Sequence, residues 1–301
     1  MAGWLTSRVH WLASLKVWLE KVFRHEISLW LHRLNLVATI LVFIHVWLID
    51  YIRAITPFMI LFTGATGLVF LAYGYYRYQA HQGHTRARLM EIKALNDQVL
   101  QLVIKLRRPL SLHSGDYIFI AFPEIAGLEE LHPFSLVKID PDRRIVTLAI
   151  RQDGDFTSQL VQLSSGQSLI VTGGYGLYHS IIQDQKPQAM ILLAGGIGVV
   201  PLLSIAEQYA DLPINFYYNA HSANNLLYED LYTKWEQRNN FKSVRQVGRL
   251  ATQEVINHLP DDRQGLLVLI AGPSSMAHHW IKVLKAAGIP RHQIFYEAFN
   301  W

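Results

Sequence analysis

The chain has 301 residues, 51% of them hydrophobic, a formal charge of +4 and no cysteine. That length suits about two globular domains, and the missing cysteines exclude disulfides, thiolate-held metals, iron–sulfur clusters and cysteine nucleophiles. The basic residues gather in the N-terminal third and line no aromatic-rich groove, which argues against nucleic acid as a partner.

Residues 1–30 place Leu5, Leu12, Leu15, Leu19 and Val22 at helical spacing with Arg8, Lys16, Lys21 and Arg24 between them. Trp4, Trp11, Trp18 and Trp30 add interfacial side chains. The stretch is too charged to span a bilayer and reads as a helix lying on one, a pattern shared with amphipathic helices of soluble proteins.

Over 31–80 the sequence predicts a transmembrane helical hairpin. Leu34–Ile49 and Ile55–Tyr76 lack acidic and basic residues and, with their flanks, approach the roughly 20 residues that a bilayer core requires. Arg24 and Arg33 precede the first run, and Arg77, Arg86, Arg88 and Lys93 follow the second, so both ends are expected to face the cytoplasm, in a multi-pass protein of the cell membrane. His32 and His45 lie on the first helix, about 20 Å apart along its axis, and an ionisable residue within a span is a functional candidate. They are candidate haem ligands, against the plainer reading of hydrogen-bonded histidines.

Beyond residue 86 the pattern becomes one of short β-rich runs: Val99–Leu106, Tyr117–Phe122, Phe134–Ile139, Ile145–Ile150 and Ser168–Val171. This spacing predicts a small antiparallel barrel over 86–183. Over 187–301 strands alternate with helices: Ile191–Ala194, Leu202–Ala210, Ile214–Tyr218, Tyr228–Arg238, Leu266–Ala271, Met276–Ala287 and Ile294–Glu297. Such alternation predicts a parallel sheet covered on both faces, a Rossmann-like α/β domain. Its first turn, Gly195-Gly196-Ile-Gly198-Val-Val-Pro201, joins a buried strand to a new helix and offers bare amides to a pyrophosphate. The spacing departs from the G-x-G-x-x-G fingerprint, and a plain glycine-rich turn reads the same way.

Several short motifs fall in order along the chain: His132-Pro133-Phe134-Ser135, Arg151-Gln-Asp-Gly-Asp-Phe-Thr157, Thr172-Gly173-Gly174-Tyr175-Gly176, the Gly195–Pro201 turn, Ala271-Gly272-Pro273-Ser-Ser-Met276, and Glu297-Ala-Phe299-Asn-Trp301. Taken together they resemble the ferredoxin–NADP reductase superfamily, and within it the ferric reductase and NADPH oxidase branch of membrane flavoproteins. The resemblance implies an FAD-binding barrel followed by an NAD(P)-binding domain. It implies that His132, Pro133, Phe134 and Ser135 line the flavin, and that Arg151, Thr157 and Gly173–Gly176 hold its pyrophosphate. By the same likeness Gly195, Gly196, Gly198 and Pro201 take the nicotinamide nucleotide, Gly272 and Pro273 border the nicotinamide, and Phe299 stacks on the flavin, with Trp301 as a competing stacker. Ser135 and Phe299 are then the residues at the reacting ring.

The chain also departs from that branch. Ala271 stands where the family has cysteine and Val200 where threonine is common. His221 and Ser222 occupy the place of an arginine that reads the adenosine 2′-phosphate, which leaves NADH and NADPH both open. Two spans replace the branch's larger set of membrane helices, and the histidines that would partner His32 and His45 are absent. The expectation is a membrane-tethered flavin oxidoreductase that passes electrons from NAD(P)H through FAD to a one-electron acceptor: haem b shared with a partner subunit or a second copy, ferric iron, a quinone or oxygen. An electron-transfer subunit that is inactive without a haem-bearing membrane partner, and a non-catalytic remnant, are the alternatives.

Overall fold

The computed structural model describes residues 25–82, 84–260 and 263–297, which form two units, Met1–His81 and Gln82–Trp301. The segment predicted to lie on the bilayer, 1–30, falls outside the described residues up to position 24.

In the first unit, the two apolar runs fall within helices α1 (His25–Leu48) and α3 (Thr56–Gln82), joined by the single turn α2 (Asp50–Arg53). Phe62 stacks on Phe43 and on Phe58 with centroids 5.7 Å apart in each case. Leu41, Leu48, Leu61 and Leu71 are all more than half exposed, so the unit leaves apolar surface bare. Of the two spans expected from the sequence, the longer one is kept and the shorter one falls short. Among the described residues only Thr56–Tyr76, 21 residues, is long and apolar enough to cross a membrane. The apolar part of α1, Leu34–Leu48, rises only about 22 Å, short of a core of about 30 Å.

The second unit begins with a strand that the sequence pattern does not reveal. Thr85, Ala87 and Leu89 are buried and Arg86, Arg88 and Met90 exposed, the period-two alternation of a half-buried strand, β1 (Thr85–Ala94). Its arginines look, in sequence, like the basic flank of a membrane span. With β2 (Val99–Leu106), β3 (Tyr117–Ala121), β4 (His132–Ile139), β5 (Ile145–Arg151) and β6 (Ser168–Tyr175) it closes an antiparallel barrel in the order β1-β2-β5-β4-β3-β6. Leu89, Leu102, Ile104, Ile118, Ile120, Leu136 and Leu148 fill it. The short helix α4 (Asp155–Gln159) follows β5, and α5 (Tyr178–Gln185) leads out of β6.

Next comes a parallel sheet, β11-β10-β7-β8-β9, from β7 (Ala189–Gly195), β8 (Ile214–Ala220), β9 (Phe241–Val247), β10 (Leu266–Ala271) and β11 (Ile294–Glu297). β9 escapes the sequence pattern because Lys242, Ser243, Arg245 and Gln246 give this edge strand a polar look. Helix α6 (Val199–Gln208) is buried from Val199 to Ala206 and packs on β4 as well as on the sheet, so barrel residues Val99, Val137 and Ala149 share its core. It begins three residues before the predicted start; Pro201 still falls in the first turn, where a missing N–H costs nothing.

Two strand-end loops touch backbone to backbone. A Cβ on Gly198 would lie 2.6 Å from the Ala271 carbonyl oxygen and 2.7 Å from Gly272 Cα, and one on Gly272 would lie 3.1 Å from Gly195 Cα. Glycine is required here by the protein's own packing. Gly198→Ala is therefore expected to cost about 1–3 kcal/mol, the range for overpacking a rigid site. The denaturation midpoint of the purified chain checks this, and an unchanged midpoint would show that the loops can part freely.

Candidate functional site

Strand order places the reversal of the α/β sheet at β7. The chain runs β7, β8, β9 to one side and then returns to lay β10 and β11 on the other, so the loops after β7 and β10 diverge at the carboxyl edge. In open α/β sheets this crevice is where ligands bind. The sequence-predicted nucleotide residues gather there: Gly195, Gly196, Gly198 and Pro201 after β7, His221 after β8, and Gly272 and Pro273 after β10. Within this loop Gly196 differs from its neighbours. It has φ +55°, and a Cβ added to it would meet nothing within 4 Å, so its surface faces open space. Arg249, which the motifs do not include, stands on the same edge: Gly248 N–H donates to Ala220 O at 2.8 Å, placing the Gly248-Arg249 pair beside His221. Its signal in the sequence is an arginine just after an edge strand, legible only once β9 is recognised.

On the barrel side, register aligns the expected flavin residues. Ser135 pairs with Tyr117, which pairs with Tyr175, and Phe134 pairs with Ile118, which pairs with Gly173. Alternation sends Phe134 toward the barrel core and Ser135 to the opposite face with Val137, so Pro133 and Phe134 do not present one common surface. His132 stacks on Phe156 at 4.1 Å and Phe134 lies 6.0 Å from the same ring, a half-buried aromatic shelf. Arg151 bonds Asp153. Thr157 Oγ1 accepts the Asp153 N–H at 2.9 Å and donates to Gly154 O at 3.2 Å, so it shapes this loop. β5 and β6 are three strands apart either way round the barrel, so Arg151 and Gly173–Gly176 come from non-adjacent strands. The turn's glycines answer to packing as well: a Cβ on Gly174 would sit 2.1 Å from Ser111 O. β5 contacts the Gly196–Gly198 turn, and α6 contacts β4, so the barrel strands and the glycine turn adjoin.

Two carboxyls outside the predicted site, the buried Asp116 and the half-buried Glu297, lie at the joint between barrel and sheet. Asp116 accepts the His113 N–H at 2.8 Å, yet burial outweighs this and pushes its carboxyl up to about 6. Glu297, at the end of β11, is likewise pushed up to about 7 by burial, against the hydrogen bond from Leu177 N–H and with a further rise from the Asp116 charge. Glu297 Oε2 has no hydrogen-bond partner among the described residues. His113 stacks on His179 at 3.9 Å, and burial, with the nearby charges of His113 and Arg143, holds His179 below its ordinary value. Ser204 Oγ accepts the Gly115 N–H at 2.8 Å, and Tyr178 Oη donates to Ile270 O at 2.6 Å, tying the same joint. Phe299 and Trp301 lie outside the described residues. His32 and His45 share α1, and no group of three or more metal-ligating side chains occurs among the described residues.

Both acids ionise more readily in the unfolded chain, so their contribution to stability is full below the unfolded values, 3.8 and 4.5, and is lost as pH rises through about 6 to 7. Glu297→Gln keeps an acceptor for Leu177 N–H and removes the ionisation. Its melting temperature is expected to match the parent at about pH 4 and exceed it at about pH 8. A parent-like profile across that interval would show that Glu297 does not titrate in the fold.

The family model for an FAD-binding domain matches residues 84–276. The chain is 25% identical over 153 residues to the dihydroorotate dehydrogenase B (NAD(+)) electron transfer subunit of Listeria welshimeri, covering 50% of this chain and 60% of that protein. It is 25% identical over 239 residues to the reductase component of propane 2-monooxygenase from Rhodococcus jostii, covering 71% of this chain and 63% of that one. The chain thus spans about three-fifths of the length of these relatives. Among solved structures, the cytochrome P450 reductase of Amycolatopsis aligns with a TM-score of 0.63 at 20% identity, over 72% of this chain and 69% of that one. A ferredoxin NADP+ reductase from Neisseria gonorrhoeae with bound FAD and NADP aligns with a TM-score of 0.60 at 18% identity, over 71% and 98%. The barrel, the reversed parallel sheet and the family match over 84–276 agree: this chain belongs to the FAD-binding domain family of the ferredoxin–NADP reductase superfamily.

Proposed function

We propose that the chain is a membrane-tethered flavin reductase that takes a hydride from NAD(P)H and releases electrons singly to an acceptor. The observation that carries this reading is the shared cleft. The glycine loop at the switch point of the sheet touches β5, and α6 touches β4, so a nucleotide on the carboxyl edge borders the flavin-side strands. FAD, when bound, supplies the exchange between hydride and single electrons. The chain's own residues orient and bind: the half-buried side chains of His132 to Ser135 on β4 are those offered to the flavin. Arg151 with Thr157 and the Gly173–Gly176 turn suit the FAD pyrophosphate. Gly196 leaves room for a pyrophosphate at the α6 N-terminus. Glu297, half in its acid form near neutral pH, holds a proton at the joint.

The relatives' names, an electron transfer subunit and a reductase component, support a separate partner that receives the electrons. The tether rests on Thr56–Tyr76, and the placement in the ferric reductase and NADPH oxidase branch rests on the ordered motifs. In this reading the flavin and nucleotide domains lie in the cytoplasm. His32 and His45 share one helix about 20 Å apart, so neither can complete the other's haem iron, and each needs a histidine from a partner or a second copy.

Gly196→Ala is expected to raise the KM for NADH and NADPH about tenfold or more with FAD retained, because the new methyl enters the open space of the loop. Its left-handed backbone adds a cost of about 1 kcal/mol in stability. Steady-state kinetics alongside the flavin-to-protein ratio check this, and an unchanged KM would place the nucleotide elsewhere. Reduction of bound flavin by NAD(P)H, followed by stopped flow, is expected to be unaltered in His45→Ala, whose site lies in the helical unit. A large loss there would tie the histidine to hydride transfer and contradict the proposed division of labour.

A further inference from the structure

The outer face of the barrel at β1 and β2 carries a charge arrangement that neither the core nor the cleft requires. Arg88 pairs directly with Lys105, and Arg107 N–H donates to Arg86 O at 2.9 Å, so two successive outward positions set cation against cation. Like charges directly opposite on a sheet repel. All four are exposed, and Arg144, whose carbonyl accepts Leu106 N–H at 2.7 Å, adds a fifth cation at the same end. None of the five makes an ion pair among the described residues. The local acids are otherwise placed: Asp140 accepts the backbone N–H groups of Arg144 and Ile145, Asp142 lies in the hairpin turn, and Glu91 lies past the bulge in β1. On the neighbouring strand, Ser168 pairs with Arg88 and is neutral. Two exposed apolar side chains flank the row, Met90 beyond Arg88 and Ile145 opposite Lys105.

We propose that this face binds the anionic headgroups of a lipid bilayer. A flat strand face with unpaired arginines, bordered by Met90 and Ile145, matches a surface that is negative and has an apolar layer beneath it. Arginine also forms forked hydrogen bonds to phosphate. The chain reaches β1 at Thr85 soon after α3 ends at Gln82, so the patch follows directly on the helix that is long enough to cross a membrane. The inference rests on the membrane-tethered reading, and adds that the barrel is held down by charge as well as by its tether.

The absence of native cysteine allows a single reporter to be placed. The full chain with Met90→Cys carries an environment-sensitive label and is reconstituted into nanodiscs that contain headgroup spin-labelled lipid; Thr233→Cys, exposed on the α/β side, is the reference. Quenching at position 90, but not at 233, is expected in discs containing phosphatidylglycerol. It is expected to fall about fivefold or more in high salt or in the Arg86→Gln, Arg88→Gln, Lys105→Gln variant, with flavin reduction unchanged. Equal quenching in purely phosphatidylcholine discs, or after neutralisation, would show that the tether alone sets the distance and would overturn the proposal. So would protection of the label by an acidic peptide with no quenching by lipid, which would assign the face to a protein. If the chain fails to enter discs at all, the tether reading falls. Co-sedimentation with phosphatidylglycerol vesicles, and not with phosphatidylcholine vesicles, would then still uphold the patch, and its absence would refute it.

Discussion

The contact between the loops after β7 and β10 is the constraint on which the site depends. Gly198 and Gly272 allow two backbones to meet, Gly195 leaves room for the Met276 side chain, and the sheet reverses direction at that seam. Because the loops are held against each other, the carboxyl edge presents a fixed crevice, and α6 can leave it at once to run between sheet and barrel. A looser seam would separate the glycine turn from β5 and open the cleft to water.

The same helix makes the two domains of the second unit one body. Residues Val199 to Ala206 are buried on all sides, Ser204 holds the Gly115 amide, and Tyr178 reaches the β10 carbonyl at Ile270. Around this rigid joint sit Asp116 and Glu297, whose burial raises the energy of their charged forms. Stability is given up at the place where a proton is kept near neutral pH.

Much of this architecture is legible in the residues, for identifiable reasons. β2 can be read to the residue because Val99 to Leu106 is a pure strand pattern between turns. The crevice shows itself because three glycines packed between a buried strand and a helix start mark a backbone that must turn tightly. What each glycine is for is less legible. Gly198 and Gly272 serve backbone packing, and Gly196 alone in its loop faces open space, a distinction that no sequence spacing carries. β1 is hidden because its alternating arginines mimic a membrane flank, and β9 because an edge strand tolerates polar residues on both faces. Barrel closure, which brings β1 back to β6, is invisible to local pattern. Glu297 is visible as a letter in a motif, but its buried, half-satisfied carboxyl is a tertiary property.

In the proposed function a nicotinamide nucleotide passes a hydride to FAD held on the barrel. The most direct test is the absorption spectrum of the purified, detergent-solubilised chain under anaerobic conditions, before and after NADH or NADPH is added. Flavin bands at about one FAD per chain that bleach on addition of nucleotide are expected. A chain that carries no flavin and takes none up, or bound flavin that neither nucleotide bleaches, would contradict it.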